Sequence, residues 1–240
     1  MIWALVENQK IEAKPKLEGI CPLCRNKVIS KCGEIYVWHW AHVKDEECDA
    51  WSEPESAWHK HWKATFGKEN SEVVISKDSK NHIADILTES QVVIELQNSP
   101  ISKSTIRERE NFYGERMIWL INGKEFRVNL TVKDEWDDQD SIELKSLPRR
   151  PIRWQRSAPE IKKGINGEFF KWKFPRRSWK DVQRPLFIDF GEDSLFKVEE
   201  GMGTTQIRGV YIKKEKFIKK YGGDFSFYIQ IQKENQDQPL

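Results

Sequence analysis

Residues 81–98, Asn-His-Ile-Ala-Asp-Ile-Leu-Thr-Glu-Ser-Gln-Val-Val-Ile-Glu-Leu-Gln-Asn, constrain the fold of this chain more than any other stretch. Two apolar runs flank a short polar turn, and their Val, Ile and Leu content reads as buried β-strands. Each run carries one acid where a core strand should be apolar: Asp85 in the first, Glu95 in the second. An ionised carboxylate in such a place is costly unless paired or bound to a metal. A three-residue turn from Glu89 to Gln91 sets Thr88 opposite Val92 and Asp85 opposite Glu95, with facing side chains ~5 Å apart. Gln97 lies two residues beyond Glu95 and points to the same face. Two carboxylates and an amide then converge, and like charges this close repel unless a cation or a proton intervenes. The alternative is an ordinary hairpin whose acids are exposed.

A second constraint comes from cysteine. All four fall between Cys21 and Cys48. Without a basic leader followed by an apolar stretch at the start, no export is expected, so the cluster points to metal rather than disulfides. Structural zinc takes four Cys or His ligands in a tetrahedron. Five candidates are present: Cys21 and Cys24 of a C-x-x-C knuckle, then His39, His42 and Cys48. His39 and His42 fall on opposite sides of an extended strand, so one of them is expected to be left out. Cys32 sits beside Gly33 at an expected hairpin tip between strands 27–31 and 34–40. A reduced cysteine pair with incidental histidines is the alternative. A closed zinc site would serve folding or docking, not chemistry.

Residues 52–67 read as a helix, with Ser52 as N-cap candidate, Glu55 at the capping-box position and Pro54 tolerated in the first turn. Trp58, Trp62 and Phe66 line one stripe; Glu55, His59 and Lys63 line the next. That second stripe is either a solvated face or one that looks onto the carboxylates. A strand over 72–76, the 81–98 hairpin, a helix from about Lys103 to Glu115 and a strand over 116–121 follow. The order is helix, three strands, helix, strand.

Residues 133–143 hold six acids and one lysine and read as an acidic linker. From Arg149 to Arg184, twelve Lys or Arg stand against three acids, interleaved with Trp154, Phe169, Phe170, Trp172, Phe174 and Trp179. Basic residues contact phosphates and aromatic rings stack on bases, unless the rings are simply a small core. Beyond it, strands are expected over 186–190, 195–198, 207–212 and 225–231, with a short helix over 213–221. The expected organisation is a zinc-binding region at 1–51, a core at 52–132, an acidic linker at 133–148 and a basic, aromatic, β-rich domain at 149–240.

Net charge over the 240 residues is +2, so the total names no partner class. Charged residues make up 32% and apolar ones 38%, and no run of about 18 apolar residues exists, which argues against a membrane span. The expected compartment is the cytoplasm.

Taken together, the stretch from Cys21 to Asn122 resembles the CoiA-like competence nucleases, a family within the restriction-endonuclease-like superfamily whose motif is written PD-(D/E)XK. The shared features are Cys-Pro-x-Cys, His39-Trp-Ala-His42, Cys48-Asp-Ala-Trp51, Glu55 with Trp58-His59 and Trp62-Lys63, Ala84-Asp85-Ile86, Val93 to Ser99, and the helix bearing Arg109 and Tyr113. The resemblance implies a mixed α/β (α+β) fold with a restriction-endonuclease-like core. It implies Mg²⁺ or Mn²⁺ on Asp85 and Glu95, with Glu55 as an acid from the first helix and Zn²⁺ in the cysteine cluster. Gln97 stands where the motif usually has Lys, so it would orient water or phosphate without charge, and Lys63 or His59 would supply the positive group. The implied activity is hydrolysis of DNA, single- or double-stranded; cutting both strands would usually need two active sites, which a homodimer would supply, although the sequence leaves the oligomeric state open. A catalytically silent DNA-binding accessory protein in uptake, recombination or phage defence, and an RNA-directed nuclease, are the other readings.

Overall fold

The computed structural model describes residues 1–43, 48–51, 53–133 and 167–237. Ser52, the expected acidic linker beyond Lys133 and the basic residues up to 166, Trp154 included, lie outside them. Two sheets carry the fold. The first is antiparallel, in the order β2-β1-β3-β4-β5, from β1 (Trp3–Val6), β2 (Gln9–Glu12), β3 (Glu18–Ile20), β4 (Lys27–Lys31) and β5 (His39–His42). Its small core is Ala4, Ala13, Cys21, Val28 and Trp40. Residues 34–38, expected to extend β5 backwards, form a loop instead, with Ile35 and Tyr36 in solvent.

The second sheet has nine strands in the order β10-β11-β14-β13-β12-β9-β8-β7-β6. These are β6 (Ser71–Lys77), β7 (Lys80–Leu87), β8 (Val93–Gln97), β9 (Met117–Asn122), β10 (Leu130–Lys133), β11 (Glu168–Trp172), β12 (Leu186–Asp189), β13 (Ser194–Glu200) and β14 (Gln206–Lys213). β9 pairs in parallel with β8 and β12, and the other neighbours are antiparallel. The described strands of the stretch expected to form a separate basic domain, β11 to β14, therefore extend the sheet that carries Asp85 and Glu95.

Four α-helices flank this sheet among the described residues: α1 (Ala57–Phe66), α2 (Lys103–Tyr113), α3 (Lys214–Lys220) and α4 (Phe225–Asp237). β9 shows why both faces are covered, because strand side chains alternate. Met117, Trp119 and Ile121 enter one core with Ile106 of α2, while Ile118 and Leu120 enter the other with Trp58, Trp62 and Phe66 of α1 and Phe217 of α3. None of the helices is long and apolar enough to cross a membrane.

Three expectations at the level of elements need correction. Residues 225–231 are helical, not a strand: Phe225, Tyr228 and Ile229 face the core at helical spacing, and Asp224 Oδ1 caps the start by accepting Phe227 N–H at 3.0 Å. α1 starts at Ala57, with Ser56 as its N-cap accepting His59 N–H, so Glu55 precedes the helix rather than belonging to it. Phe170, Trp172 and Trp179 are buried in the sheet core and cannot stack on bases; Phe174 is exposed.

Candidate functional site: a cysteine centre and a carboxylate row joined by Arg109

The knuckle after β3, the end of β5 and Cys48 bring Cys21, Cys24, His42 and Cys48 together, with their four ligand atoms within 4.8 Å of one another. Cys21 Sγ lies 3.5 Å from Cys48 Sγ, and Cys24 Sγ lies 3.2 Å from His42 Nε2. Ligands ~2.0–2.3 Å from a tetrahedral zinc sit roughly 3.3–3.8 Å apart, so this Cys3His set fits that ion. Burial raises the pKa of the Cys21 and Cys48 thiols, a cost that a bound cation would offset by taking thiolates. His39 is the candidate left out: it faces away on β5, and its Nδ1 pairs with the Val37 carbonyl at 2.8 Å.

The carboxylates are organised by the β6–β7–β8 ladder. Ile86 pairs with Ile94 and Leu87 with Val93, the register that sets Asp85 against Glu95. There the backbone ladder gives way to side chains. Asp85 Oδ2 accepts Leu96 N–H at 2.9 Å, and Glu95 Oε1 accepts Asp85 N–H at 3.4 Å. On the other side of β7, Ser71 pairs with Ile86 and Val73 with Ala84, a register that sets Glu72 against Asp85. Glu72 has φ +49°, a left-handed backbone that turns its side chain out of simple alternation. Glu72, Asp85 and Glu95 thus stand in one row across three neighbouring strands.

Lys63 of α1 closes the row. Its Nζ lies 2.8 Å from Glu55 Oε1, 2.9 Å from Glu72 Oε1 and 3.1 Å from Asp85 Oδ1. Lys63 is 3% exposed, and although burial disfavours its charge, Glu55, Glu72 and Asp85 raise its pKa well above the ordinary value. Burial likewise opposes ionisation of Glu55, but Lys63 and the Met1 nitrogen, 3.5 Å away, pull it down to about 2. Glu95 has no such cation on the Asp85 side. Burial and Asp85 push it up to about 7, against the pull of Arg109 of α2, whose Nη1 lies 2.9 Å from Glu95 Oε2.

Arg109 also ties the acids to the cysteine centre. Its Nη2 donates to the Trp51 carbonyl, and Trp51 follows ligand Cys48 by three residues. Asp49 clamps β7 through His82 Nδ1 at 2.9 Å and Ile83 N–H at 2.8 Å, and Trp51 stacks on His82 with ring centroids 3.3 Å apart. The β1 end does the same from the other side, where Glu72 accepts Ile2 N–H and Trp3 N–H at 2.7 and 2.9 Å.

These groups enclose a cavity of about 60 Å³, lined among others by Glu55, His59, Lys63, Glu72, Asp85, Glu95 and Arg109. That is several times the ~10–15 Å³ one water needs. Asp85, 21% exposed, is its solvent edge, and Glu55 Oε2 is a buried acceptor without a protein partner. Each oxygen of the Asp85–Glu95 pair has a protein partner: Asp85 Oδ1 meets Lys63 Nζ and Oδ2 meets Leu96 N–H, while Glu95 Oε1 meets Asp85 N–H and Oε2 meets Arg109 Nη1. Among the described residues no third acid joins them as tightly as the cysteine cluster is joined. His59 is buried in the cavity wall, paired with Ser56 through Nδ1 at 2.9 Å and 3.9 Å from Glu53. Gln97 is buried and does not itself line the cavity; its amide donates to Glu53, which does, and to the Ser99 carbonyl.

Sequence reasoning did not single out Glu53 or Glu72 for the site, and it named Arg109, Asp49 and Trp51 without roles. The one available signal was Glu72 opening an apolar strand, Ser-Glu-Val-Val-Ile, where an acid is out of place.

Residues 5–50 match the family model described as competence protein CoiA, N-terminal domain, a span that includes all four residues of the Cys3His centre. The match supports the CoiA-like resemblance. No curated protein and no solved structure matches the chain.

Proposed function

We propose that this chain is a metal-dependent nuclease that hydrolyses DNA phosphodiester bonds with Mg²⁺ or Mn²⁺ on Asp85 and Glu95, in a competence-related setting. The observation that carries the reading is the side-by-side placement of those acids on β7 and β8, where each takes a backbone amide of the other's strand. Support comes from the order α1, β6, β7, β8, α2, β9, which is the order expected of a restriction-endonuclease-like core. The N-terminal family match supplies the competence setting.

The metal, when bound, would lower the pKa of a coordinated water and neutralise charge on the phosphate in the transition state. The chain's own residues set the stage for that. Asp85 presents one carboxylate at the solvent edge, where a phosphate can arrive. Arg109 fixes Glu95 in one orientation through the 2.9 Å contact. Lys63 supplies the positive charge that Gln97 lacks; held protonated by Glu55, Glu72 and Asp85, it serves as a fixed cation and not as a base. Glu55 holds Lys63 in place from just ahead of α1. His59, buried in the cavity wall, is placed to orient a ligand inside it.

A second reading, a nuclease-fold protein that binds DNA without cutting it, is favoured by Gln97, which carries no charge and is committed to Glu53. Cleavage assays separate the two. Zinc-loaded protein should cut plasmid or single-stranded DNA with Mg²⁺ or Mn²⁺ and stop in chelator. Asp85→Asn should lower the rate at least ~10²-fold, the loss of several kcal/mol of charge stabilisation. Retained DNA binding with no cleavage in any divalent metal selects the binding reading.

A further inference from the structure

Next to the carboxylate cavity, and sharing Trp51 with it, is a second and larger one of about 610 Å³ that no role above uses. It lies between the β6–β7 turn, the outer face of α2 and the linker at Ala50–Trp51. The turn is tight, with Asp78 and Ser79 both left-handed at φ +49° and +61°. The inner wall is aromatic. Trp51 and His82 stack at 9° to one another, and Phe112 meets His82 edge-on at 4.7 Å and Trp51 at 5.6 Å. The rim is polar and exposed, with the amides of Asn81 and Asn111 and the charges of Lys77, Lys80, Asp78 and Glu108.

Its volume is within the ~300–1,000 Å³ of small-ligand pockets. The two lysines are balanced by two acids, so the pocket is not an anion trap. Nor is it an apolar groove for an alkyl chain, since amides and charges ring its mouth. Aromatic walls with two amide edges fit a flat heterocycle that stacks and forms hydrogen bonds along its rim, with Lys80 free to meet a flanking phosphate.

We propose that this pocket takes an unstacked nucleobase of single-stranded DNA, stacked against the His82–Phe112 wall, one Trp51 side chain away from the carboxylate pair. The proposal rests on the nuclease reading for its substrate class, and gives that reading a strand preference. A base in a duplex is stacked on both faces and cannot enter without being flipped out, so single strands are the preferred substrate.

Binding is measured with Ca²⁺ in place of Mg²⁺, on a single-stranded oligonucleotide and on its duplex. Wild type should bind the single strand more tightly. Phe112→Ala should weaken single-strand binding about ten-fold, as loss of one aromatic platform does, and change duplex binding by less than about two-fold. Because Phe112 packs against Trp51, the exposed Asn111→Asp is the second variant. It adds a negative charge at the mouth without touching the core, and should weaken single-strand binding several-fold. Equal binding of single strand and duplex by wild type, no binding of either, or Asn111→Asp binding like wild type overturns the pocket. Cleavage in Mg²⁺ is scored separately. Strand-selective binding with no cleavage sinks the nuclease reading and leaves the pocket standing, while cleavage with unaltered variants does the reverse.

Discussion

Lys63 is the residue on which the most charge converges. Three carboxylates contact one buried ammonium, and removing one partner of a buried ion pair commonly costs ~3–5 kcal/mol because the other charges are left uncompensated. Lys63→Met keeps the length of the side chain and deletes the charge. It should lower the unfolding free energy by an amount in that range, and a loss below about 1 kcal/mol would show that the acids are not held by this lysine. Glu95 gives the opposite behaviour. Its folded-state pKa, about 7, lies above the ordinary carboxylate value of 4.5. Below about 4.5 the side chain is protonated whether folded or unfolded and contributes no pH dependence. Between there and about 7 the unfolded chain gives up the proton while the native one keeps it, so metal-free stability from this group falls as pH rises. Glu55 acts in another window: with its pKa held at about 2, its stabilisation is present above 4.5 and lost as pH falls toward 2. Urea midpoints of the zinc-loaded protein without added Mg²⁺ should therefore decline between pH 5 and 8, Glu95→Gln should flatten the decline, and Mg²⁺ should recover stability most at pH 8. A wild-type slope identical to that of Glu95→Gln would contradict this account. The Asp85–Glu95 register was legible because the turn between two apolar runs admits few pairings. Glu72 and Glu53 were not, since one depends on a left-handed backbone and the other on a fold-back of the linker, and neither has a periodic signature.

At the scale of elements, the cysteine centre shows how strand geometry selects ligands. His39 and His42 are three apart on β5, so they emerge on opposite faces, and His42 is the one beside Cys24. Atomic absorption on purified protein should find one zinc per chain. His42→Ala should lose it and His39→Ala should keep it; the reverse pattern would reassign the centre. Helix ends were harder to see. Ser52 and Ser56 both precede the apolar stripe of α1, and nothing local chooses between them until Trp58, Trp62 and Phe66 pack on the sheet. In α4, Phe225, Phe227, Ile229 and Ile231 alternate as a strand would, yet Phe227 is 40% exposed while Tyr228 is buried. A period of two and a period of 3.6 overlap over so short a run, and only the partner surface on α1 and α3 decides.

Across the whole molecule, β12 lies parallel beside β9, so the expected division at the acidic stretch does not divide the described sheet. The interleaved lysine and aromatics of β11 were ambiguous for a physical reason. Phe170 and Trp172 alternate with Lys171 along one strand, the pattern of a half-buried strand as much as of a nucleic-acid groove. What unites the chain is the path from Cys48 through Trp51 and Arg109 to Glu95, which couples the cysteine region to the acids. The whole zinc-loaded chain is accordingly the sample in which the proposed metal should be sought. Titration with Mn²⁺, followed by the loss of its free paramagnetic signal, measures this directly. The account predicts Mn²⁺ uptake by wild type, competed by Mg²⁺ and abolished in Asp85→Asn and Glu95→Gln while zinc content stays unchanged. Uptake that is absent in wild type, or equal in all three proteins, would contradict it.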